Sequence, residues 1–195
     1  MKHEKAAPPK HAHYVLPTES AEQFESEQLA FENAIKPRDK IEQMQVEDIS
    51  YHNWKISQRR RVGLAIFKEA LTEALYDLLT RQLGVRDSGN AQILVERWAR
   101  GDSGAKVEVI EILKRYGLDE TAIEAEAYTR CCGKLAAVEQ SEASHASRRD
   151  KILPNLAFYR EMLARQSQRE ANLSREDDRL ARIEHMTSGE DRRGH

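Results

Sequence analysis

Apolar side chains recur at alternating steps of three and four residues along two long, otherwise polar stretches of the chain. The first runs from about residue 39 to 82 and the second from about 119 to 165. This heptad spacing places them on one face of an α-helix, so two long helices are predicted, the first with Asp39 as its N-cap. We call the heptad face of each long helix its seam. The seam positions are Val46, Ile49, Asn53, Ile56, Arg60, Gly63, Phe67, Ala70 and Ala74 in the first helix, and Cys131, Leu135, Val138, Glu142, His145, Arg149, Ile152, Leu156, Tyr159 and Leu163 in the second.

Three shorter helices are predicted around these two. One begins after the N-cap Ser20, where Gln23 completes a capping box, and stops before Pro37. The composition of residues 84–90 predicts a loop ahead of the other two. Their apolar positions are Ile93, Leu94 and Trp98 in one, and Val107, Ile110 and Leu113 in the other, which ends at Gly117. Pro154 is expected to kink or split the second long helix.

The two seams match when the long helices pair antiparallel and the residue numbers of each facing pair sum to about 202. The facing pairs are then Phe67–Leu135, Gly63–Val138, Ile49–Ile152, Val46–Leu156, Arg60–Glu142 and Asn53–Arg149, with His52 near Asp150. An unpaired charge at a seam would cost several kcal/mol, so complementary polar positions favour this register. We therefore predict an all-α fold, an elongated antiparallel helical hairpin or bundle with the short intervening helices at one end.

Composition divides the chain into three segments. Residues 1–17 hold three of the five prolines and few large apolar side chains, which predicts a disordered N-terminal tail. Residues 18–170 form the predicted helical domain. Residues 171–195 are polar and charged, and we predict a partly disordered C-terminal tail with frayed helix at best.

Overall composition limits the classes of function. Hydrophobic residues make up 39% and charged residues 33%, which suits helices with narrow apolar stripes, and the net charge of −2 argues against binding that relies on overall charge. No signal core or membrane-length apolar run is recognisable, so we expect a cytoplasmic protein without a membrane partner. The adjacent Cys131 and Cys132 cannot staple distant elements, and one of them is predicted to face the core.

Candidate chemistry is sparse. Asp48 and His52 share a helical face, but an acid–base dyad needs a pocket and a nucleophile or metal, and the sequence indicates neither. A structural polar seam is the favoured interpretation, formed by Asp48, His52, Asn53, Arg60, Glu142 and Arg149. No phosphate loop, nucleophile elbow or zinc-protease pattern occurs, so neither catalytic residues nor a cofactor are predicted.

Two further groups could bind ligands. His3 at the third position of the chain could complete a square-planar site for Cu(II) or Ni(II) with the terminal amine and two amides. Four basic residues fall close together in the antiparallel register and could attract phosphates: Arg59, Arg61, Arg148 and Lys151. Acidic residues next to this cluster favour a solvated lattice of salt bridges instead. At a different place, the second long helix begins after Gly117 with acidic residues, which argues against DNA binding by that helix start.

Several landmarks occur in a recognisable order: Lys36-Pro-Arg-Asp39, Val46-Glu-Asp-Ile49, Trp54, Arg59-Arg-Arg61, Glu96-Arg-Trp-Ala-Arg-Gly-Asp102, Tyr116-Gly-Leu118 and Ala146-Ser-Arg-Arg-Asp150. In these landmarks the chain resembles a set of uncharacterised alphaproteobacterial all-helical proteins over roughly residues 24–165. The chain departs from that set after Asp150, where Pro154-Asn-Leu-Ala-Phe-Tyr159 replaces a charged helical run. The resemblance implies a bacterial helical protein and no particular reaction.

Two functions remain as hypotheses. Two seams without a catalytic constellation favour a non-enzymatic helical scaffold or adaptor that associates with another protein or with itself. The alternative is a nucleic-acid-associated factor, from a mobile element, that uses the clustered arginines.

Overall fold

The all-α prediction is confirmed, and the described residues contain no β-strand. The computed structural model describes residues 14–82 and 88–190, with side chains for residues 14–80 and 89–180. Five α-helices follow one another: α1 (Ala21–Ile35), α2 (Lys40–Asp77), α3 (Ser88–Ala99), α4 (Ser103–Arg115) and α5 (Glu120–Glu190). α2 continues into a π-helical segment, Leu78–Gln82.

The first two helices begin at the predicted caps. Ser20 Oγ accepts from the backbone N–H of Gln23 at 3.2 Å, and Asp39 Oδ1 accepts from that of Glu42 at 2.9 Å. Each bond satisfies one of the amides that a helix start leaves without an internal partner. α1 ends at Lys36, which adopts a left-handed conformation with φ 52° just before Pro37.

α2 and α5 pack against each other in the largest helix–helix interface of the protein. A Cβ added at Gly63 would lie 3.5 Å from Val138 Cγ1, so the two backbones come close at this predicted pair. Arg60 lies 2.7 Å from Glu142, as the register also predicts. The antiparallel register with partner numbers near 202 is therefore confirmed at these positions.

An apolar core lies at the end of the hairpin where α3 and α4 connect the long helices. It is built from four helices and the π-helical segment: Ala70, Ala74, Leu75, Leu78, Leu79, Ala91, Leu94, Val95, Ala105, Val109, Leu113, Ile123, Ala127 and Cys131. α4 reaches α5 through a tight turn in which Gly117 has φ +71°. The N–H of Leu118 donates to the carbonyl of Leu113, and that of Gly117 to Lys114, which is a Schellman motif.

The predicted apolar faces of α3 and α4 need correction. Ile93 and Val107 are exposed, whereas Ala91 and Ala105 are buried. Close approach of two helices requires small side chains at the contact, and a pattern of large apolar residues does not reveal such positions. Of the predicted loop at residues 84–90, residues 88–90 are the first turn of α3, and residues 83–87 lie outside the described part.

α5 is longer and more continuous than predicted. It passes through Pro154 and ends at Glu190, beyond the expected end near residue 165. Pro154 is exposed, so water can bond the carbonyl that lacks a helical partner there. Past residue 165, side chains four apart support the exposed helix, as in the bond from Gln168 to Asn172 at 3.1 Å.

A small aromatic cluster joins the start of the described chain to α1 and α2. The ring of Tyr14 lies 5.7 Å from that of Phe24 and 5.2 Å from that of Tyr51, measured between centroids, and Phe24 lies 5.6 Å from Trp54. The last residues of the predicted tail at 1–17 thus contact the helices. Residues 1–13 lie outside the described part.

Candidate functional site

The predicted polar pairs of the α2–α5 interface are present. Arg60 Nε donates to Glu142 Oε1, and Arg149 Nη1 donates to Asn53 Oδ1 at 3.2 Å. Asn53 Nδ2 also donates to Glu27 of α1, so this layer joins three helices. Since a shifted register would leave these groups without partners, the layer favours one alignment of the helices.

Two histidines on α2 and α5 form a close imidazole pair. His52 Nδ1 and His145 Nδ1 lie 3.0 Å apart, a hydrogen-bond distance at which one ring donates and the other accepts. The ring of Tyr51 lies 5.3 Å from that of His52 and 6.2 Å from that of His145. The prediction placed His52 near Asp150 instead. Asp150 projects about 100° around α5 from the seam residue Arg149, so it is exposed and does not face His52. Its carboxylate accepts from Arg149.

Charged side chains on both helices face the imidazole pair. Burial lowers the pKa of His52, Asp48 raises it, and Arg148 lowers it. The pKa of His145 is lowered first by burial and then by the positive charges of His52, Arg59, Arg148 and Lys55. Burial and surroundings rich in positive charge therefore both favour the neutral form of the two rings.

Three of the four residues predicted to bind nucleic acid lie on the side of the hairpin that carries the imidazole pair. Arg59 Nε donates to Ser141 Oγ of α5 at 3.1 Å. The charge of Arg148 lowers the pKa of both His52 and His145. Arg148 is exposed, as is Lys151 one turn further along α5.

The fourth predicted residue, Arg61, belongs to a different cluster. Its Nη2 lies 2.5 Å from Glu19 Oε1, and its guanidinium lies 5.4 Å from the centre of the Trp54 ring. Glu19 also accepts from Trp54 Nε1 at 3.1 Å and from Gln58 Nε2 at 3.3 Å. Arg61 thus anchors the segment before α1, whereas Arg59 contacts α5.

A buried ion pair that sequence reasoning missed closes the other end of the hairpin. Arg160 donates to both carboxylate oxygens of Glu42, at 2.9 and 2.8 Å, and to the carbonyl of Ile35 at 3.0 Å. Hydrogen bonding to Arg160 lowers the pKa of Glu42 from 4.5 to about 2. Tyr159 donates to Asp39 at 3.0 Å beside it. The numbers 42 and 160 also sum to 202, so the register itself was the signal that could have identified this pair.

An open groove of about 410 Å³ lies beside α2, α3 and α5. Arg130 on its wall is bound by Asp77 at 2.8 Å and by Glu126 at 2.7 Å. The lining residues include no histidine, cysteine or serine. The groove therefore holds an ion-pair cluster in which Arg130 is bound by two carboxylates.

The described residues contain no cluster of three or more histidine, cysteine, aspartate or glutamate side chains suited to a metal ion. Cys131 is buried and Cys132 exposed, both as free thiols, which confirms that one of the pair faces the core. His3 lies outside the described residues. None of the described helices is apolar over a length that could cross a membrane.

α5 continues past its partner helix and exposes apolar side chains on one face. α2 begins at Lys40, whose partner in the register is residue 162, so residues 164–190 extend about 40 Å beyond the hairpin. We call this part the α5 extension. All side chains from residue 164 to 180 are exposed. The large apolar residues exposed on the extension or just before it are Phe158, Met162, Leu173 and Leu180.

Comparisons with known proteins leave the family open. The chain matches no protein-family model, no curated protein and no solved structure.

Proposed function

We propose that this protein is a non-enzymatic helical scaffold or adaptor that associates with another protein or with itself through the α5 extension. Its seams are already occupied, since α2 and α5 pack against each other within one chain. An association surface must therefore lie elsewhere. The observation that carries the proposal is a helix that leaves the hairpin with exposed apolar side chains, Leu173 and Leu180, on the face that Phe158 and Met162 occupy just before it.

The polar clusters support a structural role for the hairpin rather than a catalytic one. Arg160, Arg149 and Arg61 each bind carboxylates or amides of the same chain. Groups held in this way preserve the alignment of helices and present the extension rigidly. We place the protein in the cytoplasm, since the adjacent free thiols Cys131 and Cys132 suit a reducing compartment.

Site-specific photo-crosslinking in cells of the native host tests this proposal. A photoreactive phenylalanine analogue would replace Phe158 or Leu173, one at a time, and the matched control would replace Val107, an exposed apolar residue of α4. We expect protein adducts from positions 158 and 173 and none from position 107. Absence of adducts at both α5 positions would contradict the proposal.

A second candidate function is binding of nucleic acid by the basic side of the hairpin. The positive charges of Lys55, Arg59 and Arg148 each lower the pKa of His145. The three charges therefore lie close to one another on the α2–α5 surface. Clustered basic side chains attract phosphates, and their binding weakens steeply with salt.

Fluorescence anisotropy with labelled single-stranded and duplex DNA tests this second function. Arg59→Ala with Arg148→Ala should abolish salt-sensitive binding, whereas Arg61→Ala should leave it unchanged because Arg61 is bound to Glu19. The absence of binding by the unaltered protein at low salt would eliminate this function.

A further inference from the structure

The exposed apolar residues near and on the α5 extension lie on a single face of the helix. Phe158, Met162, Leu173 and Leu180 are separated by 4, 11 and 7 residues, which confines them to an arc of about 60° at 100° per residue. Their exposed fractions are 68%, 46%, 63% and 55%. We call these four residues the apolar strip. A strip of this kind on a solvent-exposed helix indicates a surface that packs against another helix.

A shallow groove of about 320 Å³ runs along the first part of the strip. It is lined by the apolar Phe158 and Met162 and by the polar Glu161, Arg165, Gln166 and Arg169. Arg165 donates to Glu161 at 2.6 Å, and the lining carries one more positive than negative charge. The groove can therefore receive apolar side chains next to acidic ones. The second half of the strip itself has this composition, since Glu176 lies between Leu173 and Leu180 on the same face and Asp177 lies beside that face.

The charges along the strip change sign at its middle. Residues 161–169 contain two arginines and one glutamate, whereas residues 170–180 contain four acidic residues and two arginines. A parallel pair of extensions would place like halves together. An antiparallel pair places the basic half of each copy against the acidic half of the other, so the charge pattern favours a second copy in antiparallel orientation.

One alignment satisfies both the apolar and the charged positions. When partner numbers in the two copies sum to about 342, Met162 of one copy lies opposite Leu180 of the other. Arg165 then faces Glu176, which lies on the same flank of the strip, and the alkyl part of Arg169 lies over Leu173. A two-fold axis repeats each contact, as an isologous interface requires.

We propose that two copies of this protein associate antiparallel through their apolar strips, with the hairpins at opposite ends of the dimer. This inference rests on the proposed function, because it identifies the partner of the α5 extension as the chain itself. Since the strip is narrow, the dimer is a dynamic one that dissociates on dilution.

Sedimentation velocity of the full chain over a range of concentrations tests the dimer. We expect conversion from monomer to dimer as concentration rises. Leu173→Glu should weaken dimerisation at least tenfold, and Val107→Glu, which places the same charge on exposed α4, should not change it. Circular dichroism checks that both variants keep their helix content. A monomer at every concentration, or equal effects of the two variants, would overturn the proposal.

Charge reversal tests the antiparallel alignment separately. Arg165→Glu and Glu176→Arg should each weaken the dimer several-fold, and the double variant should recover most of the loss, because the two positions face each other only when the helices are antiparallel. Failure of the double variant to recover affinity would refute this alignment.

The crosslinking experiment separates failure of the dimer from failure of the scaffold function. Adducts that contain only a different protein, with a monomeric purified chain, would reject self-association and keep the scaffold function. No adducts at all, with a monomeric chain, would reject both.

Discussion

The two ends of the α2–α5 hairpin are built from the same pair of helices but differ in how much of their contact is charged. At the connected end, side chains such as Leu79, Leu113 and Ile123 form an apolar core with α3 and α4. At the open end, Val46, Ile49 and Leu156 are also buried, and the Glu42–Arg160 ion pair adds a charged contact that the connected end lacks in its described core. Toward the middle, the contacts are polar layers such as Arg60 with Glu142.

The two kinds of contact contribute differently to the stability of the hairpin and to the alignment of its two helices. Burial of apolar surface stabilises the connected end in proportion to area and tolerates small shifts of one helix along another. Charged and hydrogen-bonded pairs contribute less net free energy but lose their partners in any shifted register. We infer that the core holds the hairpin together and that the polar end determines where α5 leaves it.

The largest expected effect is at the connected end. Leu113→Ala removes a fully buried side chain from the contact between α4 and its neighbours. It should lower the free energy of unfolding by about 3 kcal/mol, measured by chemical denaturation. The control Val107→Ala on the exposed side of the same helix should change it by less than about 0.5 kcal/mol. Similar losses in both variants would show that α4 does not pack as described.

The ion pair at the open end should give the next largest effect and a distinctive dependence on pH. Arg160→Met leaves the buried carboxylate of Glu42 without its main partner and should cost about 2–3 kcal/mol at pH 7. Because the folded-state pKa of Glu42 is lowered from 4.5 to about 2, its stabilising contribution is present above pH 4.5. That contribution is lost as the pH falls through 2.

Denaturation of the unaltered protein at several pH values below 5 should therefore show a decline that is much smaller in Arg160→Met. Equal declines in the two proteins would contradict the assigned role of this pair.

A smaller effect is expected from the imidazole pair, at higher pH. The folded-state pKa values of His52 and His145 lie below 6.5, so the unfolded chain binds more protons as the pH falls. Stability should be full above pH 6.5 and should decline as the pH falls through the folded-state values. Since both rings are partly exposed to solvent, the loss should stay below about 1 kcal/mol. His145→Gln should reduce this decline, and nuclear magnetic resonance titration of the ring protons would detect the lowered pKa values directly.

The smallest effect is predicted for the polar layer in the middle of the hairpin. Arg60 is 69% exposed, so its ion pair with Glu142 is well solvated. Arg60→Ala should change the free energy of unfolding by about 0.5 kcal/mol or less. A loss as large as that of Arg160→Met would show that exposed and buried pairs contribute equally, against the contrast drawn between the two ends.

Sequence patterns predicted the long helices, the caps at Ser20 and Asp39 and the register, because these depend on local chemistry and on repeats of three and four residues. They failed where a third helix intervenes. Arg61 was grouped with Arg59, yet α1 brings Glu19 and Trp54 to Arg61, and no heptad repeat encodes that contact.

The sequence by itself determined that the chain is helical and that two of its helices pair antiparallel, since helix periodicity and seam complementarity are properties of the residue order. The tertiary structure alone decided which polar groups are buried and which apolar groups are left exposed. The register aligns Glu42 with Arg160, but the burial of their contact also depends on α1, whose last residue, Ile35, accepts from Arg160. Leu173 is exposed because α5 continues past the first residue of α2, so no part of α2 lies opposite it. Burial depends on what packs against a residue in three dimensions, which residue order alone does not specify.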